Sequence, residues 1–188
     1  RGGHSSILLD LGQGSFPRLF PHLDPVTLGA VAISHLHPDH FIDLVPLRHY
    51  LRYEFEPPKR VRVLGPSDLG KRLDALHASP GFAAEALQLE TLGEGCHRIG
   101  GLLVEGRLVT HTDESYAIRV APEAGGPGLV YSGDCGRAED IVPLVRPGDT
   151  LLAEVSFGEG PPKPGAQHLG GPTVGRLATR TGAGRALL

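Results

Sequence analysis

Short apolar runs, broken by glycine, proline and polar residues, alternate along this chain with longer segments of helical spacing. The runs predict strands at 6–10, 30–33, 61–64, 102–104, 107–109, 116–120, 129–131, 150–154 and 185–188. The longer segments predict helices at 41–54, 67–78, 138–145 and 173–181, with Ser67 and Thr173 as N-caps. Hairpins in the middle and strand–helix alternation in the second half indicate a mixed α/β fold with two sheets enclosed by helices.

Bulk composition is that of an ordinary globular protein. The 188 residues are 40% hydrophobic and 21% charged, which is enough for one substantial domain, and we expect a single domain over residues 1–188. The net charge of -3 gives no global attraction for nucleic acid, so long nucleic acids are not expected partners. No apolar run reaches membrane-spanning length. Cys96 and Cys135 make no disulfide framework, so a reducing cytoplasm is the expected location.

Both ends of the sequence predict a chain that continues. There is no initiating methionine, and Arg1 leads almost directly into the first predicted strand. The last residues, 185–188, have the pattern of a strand that stops without a turn.

Three histidines and an aspartate lie within six positions, at His35, His37, Asp39 and His40. The buried-type strand 30–33 precedes them, and a helix can open after them. The cluster therefore belongs to a loop at the carboxyl end of a strand, where α/β proteins place ligands. Imidazoles and carboxylates suit zinc, iron and manganese. A glycine-rich turn at 11–15 lacks a phosphate-binding lysine, so we interpret it as structural and expect it near this loop.

Further polar residues follow later predicted strands. His111 comes after the strand at 107–109, and Asp134 follows the strand at 129–131. His168 ends a loop rich in proline and glycine at 157–165; it is either catalytic or an ordinary histidine at a helix start. Cys135 is interpreted as a buried thiol, because adjacent side chains usually diverge. His49 is interpreted as a surface or packing histidine, and His77 as a helix C-terminal residue that needs no ligand role.

These motifs together resemble the metallo-β-lactamase fold superfamily. The segment 35–40 resembles its HxHxDH signature, the segment at His111 its third motif, and the segment at Asp134 its fourth. The resemblance covers nearly the whole chain and implies an αββα sandwich with a metal site at one edge. Aspartate at 134 is similar to the ribonuclease Z, glyoxalase II and phosphodiesterase branches, and the segments at His111 and His168 resemble ribonuclease Z-like proteins best.

The resemblance also implies a ligand set. His35, His37 and His111 would bind one ion, Asp39 and His40 a second, and Asp134 would bridge them. Zinc is expected, as one or two ions, with iron or manganese as alternatives. The last ligand of the superfamily, a histidine after the final strand, is absent up to Leu188, and we expect it in a longer chain.

The implied activity is that of a zinc-dependent hydrolase. We expect a phosphodiesterase for a small nucleotide or short RNA, with a metal-bound hydroxide as nucleophile. Asp39 would orient or deprotonate that hydroxide, and His168 would protonate the leaving group. Arg48, Arg52 and Arg119 are candidates for phosphate contacts. Alternatives are a thioester or lactone hydrolase similar to glyoxalase II, or a metal-binding protein without turnover. The chain lacks an inserted basic arm, which disfavours tRNA processing.

Overall fold

The structure is a computed structural model that describes residues 6–160, 163 and 165–188. The chain divides into two compact units, with the boundary between Leu92 and Gly93. Within the described ranges, no helix is long and apolar enough to cross a membrane.

The first unit contains a parallel sheet in which the described strands follow the order β1-β2-β3-β4. These strands are Ile7–Leu9, Ala30–Ala32, Val61–Gly65 and Leu87–Thr91. The helices of this unit are α1 (Ser15–Leu19), α2 (Pro38–Phe41), α3 (Leu44–Tyr53) and α4 (Leu69–His77), with 3-10 turns at Pro25–Thr27 and Ala83–Glu85. All strands run the same way, so their carboxyl ends share one edge of the sheet.

The core of the first unit explains why these segments form. Val31 pairs with Leu8 on one side and Val63 on the other, and both valines are fully buried. Helix α3 buries Leu44, Leu47 and Leu51 in the same cluster. Burial of each such side chain contributes about 1.5–3 kcal/mol to folding.

The second unit contains a mixed sheet with the described order β10-β9-β8-β7-β6-β5. Its strands are Cys96–Ile99, Leu102–Leu108, Tyr116–Pro122, Leu129–Tyr131, Thr150–Leu152 and Arg185–Leu187, numbered β5 to β10. Strands β5 to β8 are antiparallel neighbours, whereas β8, β9 and β10 are parallel. Helices α5 (Ala138–Ile141) and α6 (Gly171–Thr181) bury Ile141, Val174 and Leu177.

Several predicted boundaries are wrong. The two strands expected at 102–104 and 107–109 are one strand, because its ladder to β7 continues through Gly106. The helix expected over 41–54 is α3, which begins only at Leu44, because residue 41 ends the separate short helix α2. The apolar pattern did not predict α1, β4 or β5. Part of the loop expected at 157–165 lies outside the described residues.

Both predicted helix caps are also wrong. Asp68, rather than Ser67, precedes α4. Helix α6 starts at Gly171, two residues before Thr173, because Pro172 fits a first turn and the Gly171 amide is bonded to the Gly158 carbonyl.

Candidate metal centre

The histidine loop of the first unit leaves the carboxyl end of β2. Ile33 continues the sheet by donating its backbone N–H to the Leu64 carbonyl, and Ser34 and His35 are fully buried. The chain then turns at His37, where the proline that follows begins α2. This geometry confirms the predicted position of the loop at a strand end. His35, His37, Asp39 and His40 are called the first ligand set below.

His35 and His37 turn ring nitrogens toward each other. Nε2 of His35 lies 3.1 Å from Nδ1 of His37, and the ring centroids are 4.7 Å apart. Two imidazole nitrogens at this distance require a proton or a metal ion between them. Two nitrogens bound tetrahedrally to zinc at about 2.0–2.1 Å lie about 3.4 Å apart. The pair therefore fits two ligands of one ion.

Asp39 and His40 both lie on α2. The Asp39 side chain is 75% exposed, and its Oδ2 is 3.8 Å from Nε2 of His40. The other nitrogen of His40, Nδ1, lies 2.7 Å from Oδ2 of Asp10. Outer carboxylates of this kind orient metal-binding histidines. Asp10 was not among the predicted site residues, although it directly follows β1, as the other polar residues follow their strands.

The glycine-rich turn packs directly against this loop, as predicted. Leu11 donates its backbone N–H to the His40 carbonyl and accepts from the Asp43 amide. A Cβ atom added to Gly12 would lie 1.6 Å from the Asp39 carbonyl oxygen. Only glycine permits so close a backbone approach, so the turn braces the loop that carries Asp39 and His40.

The second unit places His111 beside Asp134. His111 follows β6, and its Nδ1 lies 3.0 Å from the Gln167 carbonyl oxygen. A carbonyl only accepts, so Nδ1 carries the proton and Nε2 retains its lone pair. Nε2 lies 3.6 Å from Oδ2 of Asp134, which follows β8. This spacing also fits two ligands of one ion. His111 and Asp134 are called the second ligand set.

His168 lies near the second ligand set. Its ring centroid is 5.0 Å from that of His111, and its Nδ1 is 3.8 Å from Oδ2 of Asp134. The same nitrogen is 3.0 Å from Oε1 of Glu154, a residue that follows β9. The contact orients the ring through Nδ1 and leaves Nε2 as the nitrogen that Glu154 does not hold.

Glu154 was not among the predicted site residues, although it contacts His168. Its Oε1 accepts from the Cys135 and Leu169 amides, and its Oε2 accepts from the amide and hydroxyl of Ser156. Burial alone raises the pKa of this carboxyl, but the hydrogen bonds from Ser156, Cys135 and Leu169 outweigh it and lower the pKa. Its position at the end of the strand predicted over 150–154 was the available signal.

The three side chains of Asp134, Glu154 and His168 come close enough together to suggest a metal site, with one ligand atom of each within 4.8 Å of the others. The hydrogen bonds at Glu154 argue against this interpretation. Both of its oxygens already accept several protons, and an ion would have to displace them. We therefore assign Glu154 to the support of His168.

A family model described as "Beta-lactamase superfamily domain" matches residues 7–188. The chain belongs to this superfamily. The Mycobacterium tuberculosis protein Rv1339 is 34% identical over 190 residues, which are 97% of this chain and 68% of that protein. The chain thus spans about two thirds of the length of its mycobacterial relatives.

Two further relatives carry functional names. The probable metallo-hydrolase YhfI of Bacillus subtilis is 27% identical over 202 residues, which cover 100% of this chain and 76% of YhfI. Zinc phosphodiesterase ELAC protein 2 of Mus musculus is 28% identical over 183 residues, covering 82% of this chain and 22% of the mouse protein.

Solved structures show the fold. The crystal structure of Bacillus subtilis YhfI, a metallo-β-lactamase fold protein, matches 100% of this chain and 74% of its own with a TM-score of 0.84 at 23% identity. The short form of human tRNase Z matches 99% of this chain and 81% of its own with a TM-score of 0.78 at 20% identity. The metallo-β-lactamase fold predicted from the motifs is confirmed.

One cysteine and two histidines have structural roles outside the two ligand sets. Cys135 is fully buried, and burial raises the pKa of its thiol to about 12. Its Sγ donates to the Arg137 carbonyl at 3.1 Å. The prediction of a buried thiol is confirmed. His49 donates its Nδ1–H to the Val45 carbonyl at 2.8 Å, and His77 stacks on Phe82, so both are packing histidines.

The predicted phosphate-binding role of the arginines is not supported. Arg119 is 2% exposed and forms a two-pronged ion pair with Asp149, with Nε–Oδ2 and Nη2–Oδ1 distances of 2.7 and 2.9 Å. Arg48 is also buried and pairs with Glu85, and the partly exposed Arg52 pairs with the same carboxylate. Arg119 and Arg48 are committed to the framework, because a buried charge is stable only when it is paired.

Proposed function

We propose that this protein is a metal-dependent hydrolase that cleaves phosphodiester bonds of a small nucleotide or short RNA. The observation that carries the proposal is the orientation of the histidines. In each ligand set a ring nitrogen is turned toward another ligand atom, at 3.1 Å in the first set and 3.6 Å in the second. Two similar proteins are named as a zinc phosphodiesterase and a tRNase Z, and these names support a phosphodiester as the substrate.

The motif resemblance assigns the ligands. We propose that His35, His37 and His111 bind one ion, and that Asp39 and His40 bind a second with Asp134 shared. Zinc is our choice, since imidazole and carboxylate are ligands it accepts readily. Divalent ions held there would supply Lewis acidity and lower the pKa of a coordinated water.

Asp39 has the role of orienting the attacking water and accepting its proton. Its side chain is exposed and lies on the first turn of α2, so its removal costs little packing. Asp39→Ala should therefore lower turnover by at least about 100-fold, the range of acid–base catalysis, while the protein stays folded. Asp68→Ala is a matched control, because Asp68 is exposed, also starts a helix, and makes no side-chain cap there.

His168 has the role of protonating the leaving group. Glu154 holds Nδ1 of this ring, so the proton must leave from Nε2. Substrates with a good leaving group need less protonation. His168→Ala should thus lose more activity on an alkyl phosphodiester than on bis-p-nitrophenyl phosphate.

A thioester or lactone hydrolase is the second candidate. The ion pairs of Arg48 with Glu85 and of Arg119 with Asp149 favour it, because these two arginines were expected to bind a substrate phosphate. The deciding experiment compares hydrolysis of bis-p-nitrophenyl phosphate, a short RNA and an aryl thioester by zinc-loaded protein. Faster cleavage of either phosphodiester supports our proposal. Far faster thioester cleavage replaces it with the second candidate, and no turnover indicates a binding protein.

We place the protein in the cytoplasm, because Cys96 and Cys135 are both free thiols. We propose a small substrate, because the net charge of -3 does not favour a long nucleic acid.

A further inference from the structure

The carboxylate of Asp10 is fully engaged with the histidine loop. Asp10 has a positive φ of 56°, which turns its side chain back toward the loop after β2. Its Oδ1 accepts from the Ser34 amide at 2.7 Å. Its Oδ2 lies 2.7 Å from both the Ser34 hydroxyl and Nδ1 of His40. A carboxylate only accepts, so the Ser34 hydroxyl and the His40 ring must both donate.

The hydrogen bond from Ser34 to Asp10 also determines where the ring of His35 carries its proton. Its hydroxyl has one proton, and Asp10 takes that proton. The Ser34 oxygen lies 3.0 Å from Nδ1 of His35 and must therefore accept from it. Both His35 and His40 consequently carry their proton on Nδ1 when neutral. Each ring is left with a lone pair on Nε2.

We propose that Asp10 and Ser34 are positioning residues that fix the tautomers of His35 and His40, and so determine which nitrogen each ring offers to a metal. The inference deepens the proposed function and rests on its metal binding. One carboxylate would control ligands of both proposed ions, because His35 is assigned to one and His40 to the other. Loss of such outer partners weakens metal affinity by about 10–100-fold.

Two substitutions separate the steps of this network. The Ser34 amide can only donate, so Asp10→Asn keeps its one acceptor oxygen on that side and places its NH2 group against His40. Ser34→Ala removes the link to His35 and keeps the bond between Asp10 and His40. Asp24→Asn is the control for the same chemical change, since Asp24 caps only the 3-10 turn through Val26.

The direct test is the imidazole nitrogen NMR spectrum of metal-free protein labelled with nitrogen-15, at a pH where the rings are neutral. We expect protonated Nδ1 on His35 and His40 in the wild type. Asp10→Asn should shift His40 toward the other tautomer, whereas Ser34→Ala should change His35 alone. Asp24→Asn should change neither. A wild-type His40 protonated on Nε2, or a His40 that Asp10→Asn leaves unchanged, would overturn the proposal.

Zinc competition with a chelator supplies the second readout. Asp10→Asn should bind zinc about 10–100-fold more weakly than the wild type, with Asp24→Asn unchanged. Thermal unfolding checks that each variant is folded, and Ser34→Ala alone tests the network if Asp10→Asn does not fold. Expected tautomers without any hydrolysis would contradict the proposed function and leave this inference standing. Hydrolysis with the opposite tautomers would contradict this inference alone.

Discussion

The two units hold their candidate ligands in different ways. In the first unit all four ligands come from one loop and the short helix after it, and side chains orient them: Asp10 faces His40, and Ser34 faces His35. In the second unit the ligands come from separate loops, and His111 is oriented by the backbone carbonyl of Gln167. The first ligand set is therefore a preorganised local cluster, whereas the second depends on the packing of segments that are distant in the sequence.

This difference has a mechanical consequence. The first ligand set is braced by a glycine-rich turn, whose Gly12 leaves no room for a side chain. In the second unit Gly136 has the same property, because an added Cβ would lie 2.8 Å from the Gln167 Cα and 3.1 Å from the Thr110 carbonyl. Each unit therefore uses one close backbone approach to hold its ligands in place.

The largest expected effect comes from the shared ligand. Asp134→Ala should weaken both proposed zinc sites, because Asp134 is the ligand assigned to both. The loss of turnover should exceed the 10–100-fold typical of an outer partner. His40→Ala is the informative comparison, since it should weaken only one site. Calorimetry of zinc binding measures the affinity of each site in both variants. An Asp134→Ala protein that binds zinc at two sites with unchanged affinity would refute the assignment of Asp134 to both ions.

The glycines test whether the two units are braced equally. Gly12→Ala forces a clash with backbone at 1.6 Å, and Gly136→Ala forces a milder one at 2.8 Å. Overpacking costs about 1–3 kcal/mol and occasionally more, so Gly12→Ala should lower the unfolding free energy further than Gly136→Ala. Denaturant unfolding gives both values, with Gly95→Ala as the control because nothing lies within 4 Å of its added Cβ. The opposite order would show that the first loop shifts more easily than its packing indicates.

The smallest expected effect concerns Glu154 and pH. Hydrogen bonds make its folded-state pKa lower than that of the unfolded chain, which is about 4.3. The carboxylate therefore stabilises the fold fully above about pH 4.3, and this contribution is lost as the pH falls through the lower folded-state pKa. Glu154→Gln should cost about 2 kcal/mol at pH 7 and progressively less in acid.

Urea unfolding across this pH range measures the effect, and exposed Glu159→Gln serves as the control. A cost for Glu154→Gln that stays constant down to low pH would contradict the hydrogen-bond account. The same variant should lower activity as well, because it leaves the His168 ring less firmly oriented.

The sequence predicted the first ligand set more completely than the second. His35, His37, Asp39 and His40 are adjacent in the chain, so their spacing alone indicated metal chemistry. His111 and Asp134 gained meaning only through the motif resemblance, because single polar residues at strand ends are common. The outer partners were missed because a strand-end position was their only signal, and Asp10 and Glu154 reach their histidines across 30 and 14 residues of chain.

The fold was predicted where apolar runs were clearly bounded. Strands β2, β3 and β8 match their predicted positions to within one residue, because each is a short, mostly apolar run bounded by glycine, proline or polar residues. Strand β5 was missed because Cys96–Ile99 is mostly polar and pairs with a single strand, β6. The function of the arginines was misjudged for a related reason. Ion pairing of Arg119 with Asp149 joins residues 30 positions apart, and no local pattern reveals it.

Zinc titration of metal-free wild-type protein, followed by elemental analysis, tests the central claim most directly. We predict at least one bound equivalent, with the His35–His37–His111 site filling first and the site of Asp39 and His40 filling more weakly. Two equal, tight sites would contradict the assigned ligands and indicate that His168 or another residue binds an ion. A folded protein that takes up no zinc would contradict the account as a whole.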